Sequence, residues 1–120
     1  MKQVINIPIE IPSRNRLDKM HWAEKSRLRK QYEMLIRQQM SHWRIDKAQP
    51  GGKYRLAMET FRKRRIRDYD NLIGGAKLLI DALKNEQFIW DDNEKLIGMV
   101  QIGQDTTKGE VYTLIQRENK

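Results

Sequence analysis

Isoleucine at every second position near the start of the chain predicts a β-strand with one buried face. The repeat runs through residues 5–11, with polar residues or proline at the positions between, and a period of two is typical of a half-buried strand. Pro8 has no backbone N–H to donate, so we expect this strand at the edge of a sheet. Residues 12–16 break the alternation and are expected to end the strand.

Apolar residues then recur at helical spacing from about residue 19 to residue 43, which predicts one long amphipathic helix. The opposite side of this helix is basic. A charged helix face is most simply a solvated one, and contact with DNA is the alternative. The apolar positions are Leu28, Tyr32, Leu35, Ile36, Met40 and Trp43, and the basic ones are Arg27, Lys30, Arg37 and Arg44.

A Pro-Gly-Gly loop separates this helix from a predicted strand and a second helix. Residues 53–61 alternate in the manner of a strand. Residues 71–84 return to helical spacing, although Gly74 and Gly75 weaken that helix by on the order of 1 kcal/mol each relative to alanine. The middle of the chain is therefore predicted to be a strand followed by a helix.

Two more strands are predicted near the end, at residues 96–102 and 111–116, joined by a polar hairpin turn at residues 105–109. The expected order is β-α-β-α-β-β. Such a chain belongs to the α+β (mixed α/β) class, with a small mixed sheet and two helices. At 120 residues it has room for one core, so residues 1–120 are expected to form a single domain.

The charge of the chain indicates a polyanionic partner. Twenty-four basic residues against sixteen acidic ones give a net charge of +8, and nucleic acid is the commoner partner when the basic residues are scattered along a domain. The absence of cysteine excludes a disulfide framework, a thiolate zinc site and a cysteine nucleophile. No apolar stretch is long enough to span a bilayer, so we expect a cytoplasmic protein without membrane contact.

Carboxylates stand beside a basic run in residues 62–71, which suggests metal-dependent chemistry on a phosphate backbone. Carboxylates that face a polyanion repel it unless a divalent cation lies between them. Asp68 and Asp70 are two residues apart, so in an extended segment both side chains project to the same side and can converge on one ion. A third carboxylate is best supplied by Asp91 or Asp92, beyond the second helix. Such an oxygen-rich set suits Mg²⁺ or Mn²⁺.

Each of these aspartates also has a simpler structural alternative. Asp68 or Asp70, taken alone, is well placed to cap the second helix, because aspartate is a preferred N-cap and suits the helix dipole. Asp91 and Asp92, taken alone, are typical of a turn. The metal-binding hypothesis therefore depends on the positions being considered together.

Lys77 is the candidate for stabilising the transition state. It lies seven residues after Asp70, two turns on in a continuous helix and therefore on nearly the same face. Helical side chains lean toward the N-terminus, which points its ammonium group toward the carboxylates, where it could offset charge developing on a phosphate. The structural alternative is an i,i+4 surface pair with Asp81.

Three segments in order make up the most specific pattern of the chain: Asp68-Tyr69-Asp70-Asn71-Leu72, then Lys77 with Asp81-Ala82-Leu83, then Trp90-Asp91-Asp92. This pattern resembles that of the RusA family of Holliday-junction resolvases, endodeoxyribonucleases of bacteria and their phages. Ile11-Pro12-Ser13-Arg14-Asn15-Arg16 is similar to the family's Pro-Ser-x-Asn segment, and Thr107-Lys108-Gly109 is similar to its late hairpin. The resemblance covers nearly the whole chain.

The resemblance implies that Asp68, Asp70 and Asp92 bind the metal ion and that Lys77 is the active-site lysine, all four being catalytic. It also implies a homodimer of mixed α/β fold that depends on Mg²⁺ or Mn²⁺ and makes paired symmetric incisions. The interval before the lysine is longer than in the founding member by about one helical turn. For the dimer interface, the expected candidates are Trp22, Trp43 and the isoleucines of the first strand, which exceed the needs of one small core.

The expected function is therefore resolution of four-way DNA junctions in recombination and repair, by a bacterial or phage-encoded enzyme whose basic residues hold backbone phosphates. A basic DNA-binding protein without catalysis and a structural RNA-binding protein are the alternatives. The expected DNA contacts are Arg14, Arg16, Arg62, Lys63, Arg64, Arg65, Arg67 and Lys108.

Overall fold

The computed structural model describes residues 2–91 and 100–119. In chain order their elements are β1 (Lys2–Ile7), α1 (Arg14–Lys19), α2 (Trp22–His42), β2 (Tyr54–Arg62), α3 (Tyr69–Gly75), α4 (Lys77–Asn85), β3 (Gln101–Thr106) and β4 (Tyr112–Asn119). The strands form one mixed sheet in the order β1-β4-β2-β3, which confirms the α+β class. None of the helices in these residues is long and apolar enough to cross a membrane.

β1 lies at one edge of the sheet and pairs antiparallel with β4. The edge position expected from Pro8 is confirmed, but the strand ends earlier than predicted, at Ile7, because the proline that follows cannot donate a ladder hydrogen bond. Ile5 and Ile7 are fully buried. Ile11 stays in the core without being part of the strand, and its N–H donates to the Thr60 hydroxyl at 2.8 Å.

One face of the sheet forms the floor of the core. The register aligns Ile5 with Ile115, Ile115 with Met58, and Met58 with Ile102, and all four side chains are buried. Buried residues of α2 and α4 belong to the same core, so these helices cover this face. Residues that alternate with the buried ones point to the other face and are exposed or half-buried.

β3 and β4, as far as the structure describes them, do not form the predicted hairpin. β3 pairs parallel with β2, while β4 pairs antiparallel with β2 on its other side. Because a hairpin requires antiparallel neighbours, residues 105–109 instead begin a connection that crosses the end of β2. The strands predicted at residues 53–61 and 111–116 are confirmed, and most of the one predicted at residues 96–102 lies outside the described residues.

The long amphipathic helix is confirmed as α2, which buries Tyr32 and Ile36. A short helix that was not predicted, α1, precedes it. Ser13 caps α1, because its Oγ accepts the Arg16 N–H at 3.1 Å. The extended backbone of Met20 (φ −72°, ψ 139°) then separates α1 from α2.

The helix predicted over residues 71–84 is two helices that meet at Ala76. The Ala76 N–H binds the Ile73 carbonyl, three residues back, at 3.1 Å, which is a tightened turn rather than a continued α-helix. Gly75 explains why α3 can lie so close to the segment before α1. A β-carbon on Gly75 would lie 1.8 Å from the Pro12 carbonyl oxygen, so only glycine fits this contact.

A buried arginine ties two loops to the sheet. Arg117 of β4 is 3% exposed and donates to the carbonyl of Phe88 at 2.7 Å and to the carbonyl of Asp46. Its guanidinium also lies 4.8 Å from the centre of the Phe88 ring. Burial lowers the pKa of Arg117, and these carbonyl and ring contacts offset the cost of burying its charge. Arg117 therefore holds the chain in place shortly before Trp90.

Candidate active site and nucleic-acid interface

Asp68 begins α3 as its N-cap. Its backbone is extended (φ −101°, ψ 124°), and its Oδ1 accepts the Asp70 N–H at 3.0 Å. This is the capping role that the sequence left as an alternative. The side chain is exposed, and a carboxylate that accepts one hydrogen bond retains lone pairs for a cation. Capping and metal binding are therefore compatible at this residue.

Asp70 lies in the first turn of α3 and not in an extended segment. The expectation that two extended residues project Asp68 and Asp70 to one side is therefore wrong in its geometry, because a helix turns by about 100° per residue. Both carboxylates instead stand at the N-terminus of α3. The exposed Asp70 carboxylate forms no hydrogen bond or ion pair with residues 2–91 or 100–119, so its lone pairs are open to a ligand.

The third predicted metal ligand, Asp92, lies outside the described residues. Its neighbour Asp91 is described, and the Asp91 Oδ1 lies 4.0 Å from the Lys84 Nζ near the end of α4. Phe88 and Ile89 are fully buried and anchor the chain just before this point. Within residues 2–91 and 100–119, no three acidic or histidine side chains gather as a metal site, and Asp92 lies beyond that range.

Lys77 is the first residue of α4, and the break at Ala76 separates it from Asp70. The two-turn spacing expected of one continuous helix therefore does not apply. Lys77 is exposed and lines a cleft of about 480 Å³. Asp81 lines the same cleft, although no ion pair joins it to Lys77 in the described structure. The remaining polar side chains of the cleft are Arg14, Asp18 and Lys25.

Two residues of the basic run are tied into the protein. The Arg62 side chain is 12% exposed and its Nη2 lies 3.9 Å from a Glu10 carboxylate oxygen, while its Nη1 donates to the Ile11 carbonyl. Lys63 donates through Nζ to the Lys108 carbonyl at 3.0 Å. Arg62 and Lys63 thus hold neighbouring loops, a role that the sequence did not indicate, while the Lys108 side chain is exposed.

Residues 64–67 form a basic loop that is anchored at its centre. Ile66 is buried, and the Gln104 side-chain amide of β3 accepts its N–H at 2.8 Å and donates to its carbonyl at 2.7 Å. Gln104 was not predicted to matter, because its partner is backbone and leaves no sequence signal. The other three side chains are exposed and form no hydrogen bond or ion pair with the described residues. They are Arg64, Arg65 and Arg67.

α1 carries two further predicted DNA contacts and packs against α3. The Asn15 N–H donates to the Asn71 Oδ1 at 2.9 Å. A β-carbon on Gly74 would lie 2.6 Å from the Arg14 Cδ, so α3 also rests on that side chain. Arg14 and Arg16 are exposed, and the α1–α3 contact brings them to the part of the molecule that carries the two aspartates.

Comparison with known proteins adds no family to this description. The chain matches no protein-family model, and no curated protein matches it. The geometry of the described residues, together with the sequence motifs, therefore carries the functional conclusion.

Proposed function

We propose that the chain is a Mg²⁺-dependent endodeoxyribonuclease that cleaves four-way junctions and related branched DNA, as its RusA-like motifs imply. One observation carries the proposal: an anchored basic loop leads directly into the helix start that bears Asp68 and Asp70. A phosphate backbone on this surface would meet guanidinium groups and carboxylates together. Such a mixture favours a divalent cation as the link between carboxylate and phosphate.

The residues have separate roles in this proposal. Asp68, Asp70 and Asp92 would hold Mg²⁺ or Mn²⁺; such a cation makes bound water a stronger nucleophile and offsets charge on the scissile phosphate. The arginines of the basic loop would hold flanking phosphates by charge and counterion release. Lys77, the first residue of α4, would offset the negative charge that develops on the phosphate in the transition state. A homodimer would supply two such sites.

A DNA-binding protein without catalysis is the second candidate, because Asp68 already has a structural role as the N-cap of α3. In that case Asp68 and Asp70 would only stabilise the start of α3, and the basic loop would provide the affinity for DNA. A structural RNA-binding protein would use the same loop and differ in its preference for RNA.

Metal-dependent cutting of a synthetic junction separates these functions. A labelled four-way junction, a linear duplex and a single strand are incubated with and without Mg²⁺, and the cuts are mapped. We expect paired symmetric cuts in the junction that EDTA prevents. Tight DNA binding without cuts at any metal concentration would support the second candidate, and tighter binding to RNA that chelators do not alter would support the third.

A further inference from the structure

A groove of about 720 Å³ lies beside the first half of α2, and the proposed cleavage chemistry does not use it. The segment after β1 forms one wall through Pro8 and Ile9, and α2 forms another through Leu28. These side chains give the groove apolar walls. The volume is sufficient for a ligand of drug or nucleotide size.

Tyr32, one of the residues that line this groove, carries a buried polar atom. The residue is 1% exposed. Its hydroxyl has no hydrogen-bond partner among the residues that the structure describes. A buried hydroxyl without a partner destabilises a fold, so a ligand in the groove that reaches this hydroxyl and supplies the partner would be favoured. Burial raises the pKa of Tyr32, which keeps the hydroxyl protonated and able to donate.

Charged and amide side chains line the same groove. Arg16 from α1 and Arg27 from α2 are exposed cations, which suit a phosphate. Glu10, Glu24 and Gln31 also line the groove, and their acceptor and donor groups match the amino, imino and carbonyl groups of a base edge. The groove therefore has cations for the phosphate, apolar walls for the faces of the base and polar groups for the edge of the base.

We propose that this groove binds one unpaired nucleotide of branched DNA, with the phosphate toward Arg16 and Arg27 and the base edge toward Tyr32 and Glu10. The inference rests on the proposed function in taking DNA as the ligand. A base within a duplex is excluded, because its edge is paired and its faces are stacked. α1 contributes Arg16 and also packs against α3, so it links the groove to the proposed active site.

Other ligand classes use less of the groove. A free phosphate ion would engage the arginines and leave the apolar walls and the Tyr32 hydroxyl without a partner. A fatty acid would fill the apolar walls but place its tail beside the carboxylate of Glu10.

The test compares three short DNA duplexes by fluorescence anisotropy in EDTA, so that binding is measured without cutting. One duplex carries a single bulged nucleotide, the second carries an abasic bulge, and the third is fully paired. We expect wild type to bind the bulged base more tightly than the abasic bulge. Tyr32→Phe should weaken binding to the bulged base by about threefold to tenfold, the range of one hydrogen bond, and should not alter binding to the paired duplex.

Tyr54→Phe is the matched control, because it removes the same atom from a hydroxyl that has a partner. The Tyr54 hydroxyl accepts the Gln49 N–H at 2.8 Å. Tyr54→Phe should therefore lower the melting temperature and leave the preference for the bulged base unchanged. Tyr32→Phe should leave the melting temperature equal or raise it, because the hydroxyl it removes has no partner in the described structure. An effect of Tyr32→Phe on DNA binding without a loss of melting temperature would therefore reflect ligand recognition and not folding.

Equal binding of the bulged base and the abasic bulge by wild type would overturn the inference, as would an unchanged affinity in Tyr32→Phe. Tighter binding of a bulged RNA duplex, weakened by Tyr32→Phe, would assign the groove to a ribonucleotide and overturn the DNA assignment. If wild type fails to cut junctions in Mg²⁺ but keeps the base preference, the proposed function fails and the nucleotide groove stands. If wild type cuts junctions normally but shows no base preference, the proposed function stands and the nucleotide groove fails.

Discussion

Asp68 combines a structural bond with its proposed catalytic role, and the choice of substitution can separate the two. Asparagine caps helices as well as aspartate does, whereas alanine at an N-cap costs about 1 kcal/mol. Asp68→Asn should therefore remove the charge and keep α3 intact. Asp70 forms no hydrogen bond or ion pair through its carboxylate within the described residues, which makes it the cleaner position for a test of chemistry.

We expect Asp70→Asn to reduce junction cutting roughly a hundredfold or more while junction binding stays equal or becomes tighter. The substitution removes a metal ligand and also removes a negative charge near the phosphates, so rate and affinity should move in opposite directions. Single-turnover cutting and anisotropy on the same junction measure the two quantities. If the variant binds weakly and cuts in proportion to what it binds, Asp70 is structural.

The basic loop is the element that should set the affinity for DNA. Gln104 fixes Ile66, while the arginines around it remain exposed. Arg64→Gln and Arg65→Gln should each weaken binding to every DNA shape and reduce the slope of log K against log salt by about one unit for each phosphate that is no longer neutralised. Titrations at several salt concentrations measure this slope.

Arg55→Gln is the matched control for the basic loop. Arg55 is exposed on β2, in a strand position that points away from the core and near the opposite end of the strand from the basic loop, so the same charge is removed at a distance from the loop. We expect its salt slope to equal that of wild type. Unchanged slopes in the loop variants would move the DNA surface to another basic element, with the Arg27 and Lys30 side of α2 as the first alternative.

The contact of α3 with the segment before α1 should be intolerant of any side chain at Gly75. A β-carbon there would lie 1.8 Å from the Pro12 carbonyl oxygen, so Gly75→Ala must displace backbone and should cost roughly 2 kcal/mol of unfolding free energy. Gly103→Ala is the control, since a β-carbon there has no described atom within 4 Å. Urea unfolding measures both, and equal stabilities would show that the α1–α3 contact gives way easily.

Resolving a junction requires two incisions, and one chain would supply one proposed active site. The isoleucines of β1 cannot supply the dimer interface as expected, because Ile5 and Ile7 are fully buried in the core of one chain. Trp22 and Trp43 are 75% and 61% exposed at the two ends of α2. They remain the stronger of the predicted interface candidates.

We expect sedimentation at micromolar concentration to give twice the mass of one chain, since two-fold symmetry places two identical sites in fixed relation. Mixing wild type with Asp70→Asn should then yield heterodimers that nick one strand of a junction and do not resolve it. The Asp70→Asn homodimer alone is the control, in which both strands of the junction should stay uncut. Resolution by a monomer at all dilutions, or two cuts by the heterodimer, would contradict the dimer.

Local sequence patterns predicted the features that depend on near neighbours in the chain. The alternating isoleucines and the helical spacing around Tyr32 identified β1 and α2, because a period of two or of 3.6 residues decides which side chains share a face. The motif that begins at Asp68 indicated both a helix start and a candidate site, because aspartate is a preferred N-cap and its carboxylate suits a divalent cation. These signals were sufficient for the α+β class and for a set of candidate residues.

The three-dimensional structure was needed to find how distant segments meet and which polar groups form hydrogen bonds or ion pairs there. β3 lies beside β2 and not beside β4, although strand alternation is the same in either arrangement. Arg62 is half-buried beside Glu10 while Arg64, two residues on, is exposed, and Tyr32 lines a groove with its hydroxyl unpaired among the described residues. Such outcomes depend on contacts between residues far apart in the chain, and no local pattern of hydrophobic and polar positions encodes those contacts.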